Sequence, residues 1–135
     1  MLARQPNLPR EVSGPLSFDL MWHVAGVTLG AGVDTLLETH FYRGISEDKI
    51  LALAHTHRAR LAQIFCHAPL EVLRERHAAR VASGARPGID LPFDHALAPP
   101  DWCHTPLELG EVPCLELDTS LRDPLPEALR WVESL

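Results

Sequence analysis

Arg76 and Arg80 stand one helical turn apart, and neither has an acidic residue three or four positions away. Like charges at that spacing repel by ~0.2–0.5 kcal/mol, so a helix that keeps them is suited to an anion delivered from elsewhere. Arg86, in the turn Gly84-Ala-Arg-Pro-Gly88, brings a third guanidinium to the same neighbourhood. Guanidinium forks match phosphate oxygens in bidentate geometry. Three of them on one helix and its following turn are the layout of an arginine-bearing lid over phosphates. The bland alternative is a solvated basic face.

The elements that must hold these arginines follow from hydrophobic spacing. The apolar run from Leu61 to Phe65 reads as the body of a buried strand over 61–67, and Pro69 suits the first turn of a helix because its missing N–H would be unpaired there. Leu70, Leu73, His77 and Val81 then share one helical stripe. Upstream, Leu16 to Thr28 has helical spacing, with Ser17 as a candidate cap and Gly30-Ala-Gly32 as its stop. Val33 to Phe41 reads as a strand with Glu38 near its carboxyl end, where open α/β sheets place their ligands. Ser46, Glu47 and Asp48 start a further helix to about Arg60, carrying Ile50, Leu51, Leu53, Ala54 and Leu61 toward a core. Residues 84–112 are broken by five prolines. Pro113 to Thr119 alternates like a last strand, and Pro124 to Leu135 closes with an amphipathic helix. Residues 1–15 read as a tail or connector. Strands alternating with helices predict an α/β fold with a parallel sheet, here of three strands.

Bulk properties exclude several functions. The 135 residues suit a single domain, and a net charge of -6 argues against a broad nucleic-acid or acidic-membrane surface. No apolar run approaches the ~20 residues a membrane helix needs. Three cysteines without paired spacing and a polar first segment lead to a cytoplasmic expectation. Eight histidines invite a metal, but Cys66-His67 and Cys103-His104 are adjacent pairs rather than zinc spacing, so no metal site is expected. Lys49, the only lysine, follows Asp48, so the phosphate-cradling G-x-x-x-x-G-K-[ST] loop is not in this sequence.

Phe18-Asp-Leu-Met-Trp22 with Val33–Phe41, Cys66-His-Ala-Pro69 with the three arginines, and Leu115-Glu-Leu-Asp-Thr119 together resemble the later two-thirds of a P-loop small-molecule kinase of the AAA-type ATPase group. That group is similar to gluconate kinase, chloramphenicol phosphotransferase and zeta-toxin kinases. The resemblance covers roughly Phe18 to Leu135. It implies a partial three-layer αβα parallel sheet over 16–135, lacking the first strand and phosphate loop, with an Arg-bearing lid at about 74–112. It further implies ATP and Mg²⁺ as cofactors and a small-molecule hydroxyl as acceptor. Arg76, Arg80 and Arg86 would bind nucleotide phosphates, and Glu38 would be catalytic, serving the metal or the hydroxyl. Asp19, His40 and Arg43 would contact the acceptor. Arg86 is followed directly by Pro87, where relatives often place a histidine first. The missing loop leads to the expectation of a truncated chain, a mis-started frame or a natural degenerate member that transfers phosphate poorly alone. The rival expectation is a non-catalytic module whose uncovered sheet edge pairs with a partner or with itself as a homodimer.

Overall fold

The computed structural model describes residues 10–84, 105–120 and 123–135, with side chains from residue 14 onward. Its elements are α1 (Arg10–Gly30), α2 (Ser46–His57), β1 (Gln63–His67), α3 (Leu70–Ser83), β2 (Cys114–Asp118) and α4 (Leu125–Glu133). Two compact units divide them. Described residues up to Phe41 together with Asp48–Arg60 form one unit, and Tyr42–Glu47 with the described residues from Leu61 onward form the other. Arg86 and most of the expected 74–112 lid lie outside the described residues.

In the first unit, α1 begins at Arg10, so the expected tail is helical in its last residues, with Pro15 inside the helix. Pro15 is the sixth helical residue, past the first four N–H groups, so it removes the bond that its own N–H would make to the carbonyl of residue 11. Ser17 is not a cap: its hydroxyl donates to the Gly14 carbonyl at 2.7 Å from within the helix. The helix stops where glycine spacing predicts. Gly32 takes φ 73°, and the Val33 N–H reaches back to the Thr28 carbonyl at 3.1 Å. This is a Schellman closure, for which a left-handed residue is required. α2 stops the same way, earlier than Arg60, because Arg58 adopts φ 54° and the Ala59 N–H bonds the Ala54 carbonyl at 2.9 Å.

The segment Val33–His40 runs between these helices without a ladder. The expected third strand is therefore corrected. Its alternation fits a pleated chain, but a strand exists only where a neighbour takes its N–H and C=O groups. Leu36 is 86% exposed. Ala25 and Ala54 are the buried apolar residues of this unit. Leu51, expected in the core, is exposed.

In the second unit, β1 and β2 pair in parallel, with Gln63 opposite Cys114 and His67 opposite Asp118. Bonds from the Gln63 N–H to the Pro113 carbonyl and from the Thr119 N–H to the His67 carbonyl, each 2.8 Å, extend the ladder at both ends. The α/β class with a parallel sheet is thus observed, with two strands rather than three among the described residues. Ala68 and Leu117 are its buried apolar residues. α3 carries the expected stripe, but Leu70, His77 and Val81 are only half-buried and Leu73 is exposed. It ends on Gly84 in the left-handed conformation.

The two Schellman closures differ in the residue that bears the positive φ. Arg58→Gly removes the Cβ cost at that position and should raise stability by about 0.5–1 kcal/mol. Thermal melting should show the gain as an upward shift of a few degrees, whereas Gly32→Ala should shift it downward.

Candidate functional site

Parallel pairing brings the carboxyl ends of β1 and β2 side by side, and with them His67 and Asp118. His67 ends β1 with its ring stacked on Phe65, centroids 5.8 Å apart and planes at 21°. The two rings share a strand face because side chains alternate with a period of two. Beyond β2, the Thr119 hydroxyl donates to the His67 carbonyl at 3.0 Å. Asp118 Oδ1 accepts the Ser120 N–H at 2.8 Å and the Ser120 hydroxyl at 2.6 Å.

Arg76 reaches this cluster from α3. Its Nη1 donates to Thr119 Oγ1 at 3.1 Å and its Nη2 to the Thr119 carbonyl at 2.7 Å. The guanidinium thus ties α3 to the end of β2, and through the Thr119 hydroxyl to the end of β1. An acidic partner on its own helix is not needed, since a backbone carbonyl takes that place. Arg80, one turn further, contacts His77 Nδ1 at 3.2 Å and is exposed. The carboxyl ends of the two strands therefore bring together the Arg76 guanidinium, the His67 imidazole and the Thr119 and Ser120 hydroxyls, with Arg80 one turn further along α3, chemistry suited to an anion.

Asp118 counters that positive character. The Ser120 hydroxyl and backbone N–H hold its carboxyl below the usual 3.8; burial opposes them, and the charges of His67 and Arg76 add the smallest contributions. The carboxylate stays ionised through the neutral range and fixes the turn that positions Thr119 and Ser120.

The other predicted residues are elsewhere. Arg43 pairs with the Glu108 carboxylate and donates to Thr105 Oγ1 at 2.7 Å, in the same unit as Arg76 and Arg80. Asp19 is exposed on α1, and Glu38 and His40 are exposed in the extended segment after it. All three belong to the first unit. Glu38 does not end a strand, which corrects the placement that suggested its role. Among the described residues, no three His, Cys, Asp or Glu side chains converge as a metal site. The guanidinium chemistry of Arg76 and Arg80 is of the kind that suits phosphate oxygens.

The sequence reading named His67, Asp118 and Thr119 only as members of motifs, and gave neither them nor Ser120 a role in the site. The signal was present, because a polar Asp-Thr-Ser run directly follows an alternating strand, and strand carboxyl ends are where open α/β sheets bind ligands.

Because the folded-state pKa of Asp118 is lowered, its stabilising effect is complete above the unfolded value and fades as pH falls through the folded one. The stability difference between the wild type and Asp118→Asn, measured by urea denaturation, should be constant from pH 5 to about 7 and shrink below about pH 4.

No protein-family model and no curated protein matches the sequence. No helix among the described residues is long and apolar enough to cross a membrane. Among solved structures, the fold is similar to a protein from Chloroflexus aurantiacus J-10-fl described as a candidate kinase. The TM-score is 0.74 with 26% identity, covering 90% of this chain and 68% of that one. That likeness shows a kinase-like α/β fold for this chain.

Proposed function

We propose that this chain is a P-loop-type kinase domain whose α3 arginines meet the phosphates of ATP, in a fold built for phosphoryl transfer to a small-molecule hydroxyl. The observation that carries the reading is the likeness to the candidate kinase over 90% of the chain. The placement of Arg76 beside the strand ends, with Arg80 one turn further along α3, supports it. Arg86 would join them. Arg76 uses one N–H from each terminal nitrogen on Thr119, so further donors remain on the same group. Asp19, His40 and Arg43 would face the acceptor, and Glu38 would serve its hydroxyl.

Phosphoryl transfer is chiefly a matter of positioning and charge stabilisation. In P-loop enzymes, backbone N–H groups and a lysine hold the β- and γ-phosphates. The sequence has no Gly-Lys pair to do this. Arginines on one helix supply charge without alignment, so this chain by itself binds nucleotide weakly and transfers phosphate slowly or not at all. No step is assigned to Mg²⁺, for which the described residues offer no ligand set.

Association is the second reading. Among the described residues each strand is paired along one edge only. Leu16, Leu20, Val24 and Val27 on α1 are each at least half exposed, as are Leu125, Leu129 and Val132 on α4. A second copy of the chain is the occupant that would cover such surfaces in a homodimer.

Millimolar Mg-ATP should raise the melting temperature of the chain by mass-action linkage, and Arg80→Ala should remove that shift. Arg80 is the cleaner variant, because Arg76→Ala also breaks the Thr119 clasp. A cooperative melt that ignores Mg-ATP would overturn the nucleotide reading. Light scattering after size exclusion then decides the other: a dimer mass over micromolar concentrations supports association, and a monomer mass throughout rejects it.

A further inference from the structure

β1 is paired along one edge, and its main chain shows which groups are left over. The Gln63 N–H donates to the Pro113 carbonyl and the His67 carbonyl accepts the Thr119 N–H, each at 2.8 Å, so both residues turn their main-chain groups toward β2. Successive strand residues point these groups to opposite edges, and those of Ile64 and Cys66 therefore face away from β2. No described residue bonds them, and Cys66 is exposed. An open edge of this kind is a template for another strand.

β2 has an outer edge as well, where Cys114, Glu116 and Asp118 point outward. The two edges differ in what a second copy would meet there. Paired antiparallel about a two-fold axis, β2 would set Glu116 directly against Glu116 of the second copy, a like-charge contact that destabilises the pair. The same operation on β1 sets Phe65 against Phe65 at the axis and Ile64 against Cys66 on either side. From Gln63 to Cys66 that edge carries no charge.

The resulting ladder is self-complementary. Ile64 and Cys66 of opposite copies form pairs that exchange both main-chain hydrogen bonds. Phe65 lies between them at a non-hydrogen-bonded position, where opposed side chains come closest and aromatic pairs stabilise a sheet. The His67 ring already stacks on Phe65, centroids 5.8 Å apart, so two Phe65 rings would continue that row across the axis.

We propose that two copies of this chain join antiparallel through the outer edges of β1, with Phe65 at the two-fold axis, into one sheet of order β2-β1-β1-β2. The inference rests on the association reading and adds to it the strand, the direction and the register.

The test is hydrogen–deuterium exchange of the full chain, read from ¹H–¹⁵N correlation spectra over a range of protein concentrations, with the mass followed by light scattering. The Ile64 and Cys66 amides should exchange about tenfold or more slowly in the dimer than in the diluted monomer, while the Glu116 and Asp118 amides keep one rate. Cys66→Pro removes an outward N–H and leaves the donors of the β1–β2 ladder in place. It should give a monomer mass with the Phe65 and His67 amides still protected. A monomer mass for the wild type at every concentration overturns the association reading, and this inference with it. A dimer whose Ile64 and Cys66 amides exchange at the monomer rate overturns this inference alone, as does protection gained at Glu116 and Asp118 instead, or a folded Cys66→Pro that remains dimeric. Should that variant not fold, the wild-type exchange rates decide alone.

Discussion

The parallel ladder between Gln63–His67 and Cys114–Asp118 constrains the second unit more than any other interaction, because two parallel strands must point their carboxyl ends the same way. That direction carries His67 to the level of Asp118 and leaves Thr119 and Ser120 just beyond. The chain connecting the strands must return to the start of β2, and α3 is the first part of that return. A one-residue slip of register would turn Leu117, which is 3% exposed, away from the interior. The register is thus held by apolar burial, and the polar cluster at the strand ends inherits its geometry from it.

Backbone carbonyls and strand ends take up much of the charge that the sequence leaves unpaired. Arg76 bonds the Thr119 carbonyl and hydroxyl instead of an acid on its own helix. Asp118 is satisfied by Ser120 two residues on, an Asx-type turn that needs no cation. Glu47 is the exception, with one oxygen unserved while Arg43 pairs outward with Glu108. A polar group buried without partners commonly marks strain or function, since the rest of a fold is selected to avoid it.

The helices show a comparable contrast between local and collective forces. α4 has its apolar residues on one face, yet Leu125, Leu129 and Val132 on that face are more than half exposed. α1 carries a similar exposed line through Leu16, Leu20, Val24 and Val27. Patterns of this kind are written for burial against a neighbouring layer, and the buried apolar side chains among the described residues are Ala25, Ala54, Ala68 and Leu117.

What the sequence determined is mainly what neighbours along the chain decide. Helical spacing over 70–81, the glycine stop after α1 and the alternation of Leu115–Asp118 each rest on a few adjacent residues, and each is found within a residue or two of its expected place. Arg58 as a helix terminator was not legible, because a left-handed arginine carries no compositional signal as glycine does. The alternation of Val33–Phe41 satisfied every local criterion for a strand, yet pairing is a property of two segments, and no described strand lies along it. The same division holds for the site. Arg76 and Arg80 were visible as cations on one helix face without acids at helical spacing, but the reach of Arg76 to Thr119 at the strand ends was not. Nor was the burial of Glu47, because distant residues meet only when the tertiary fold closes the loops between them.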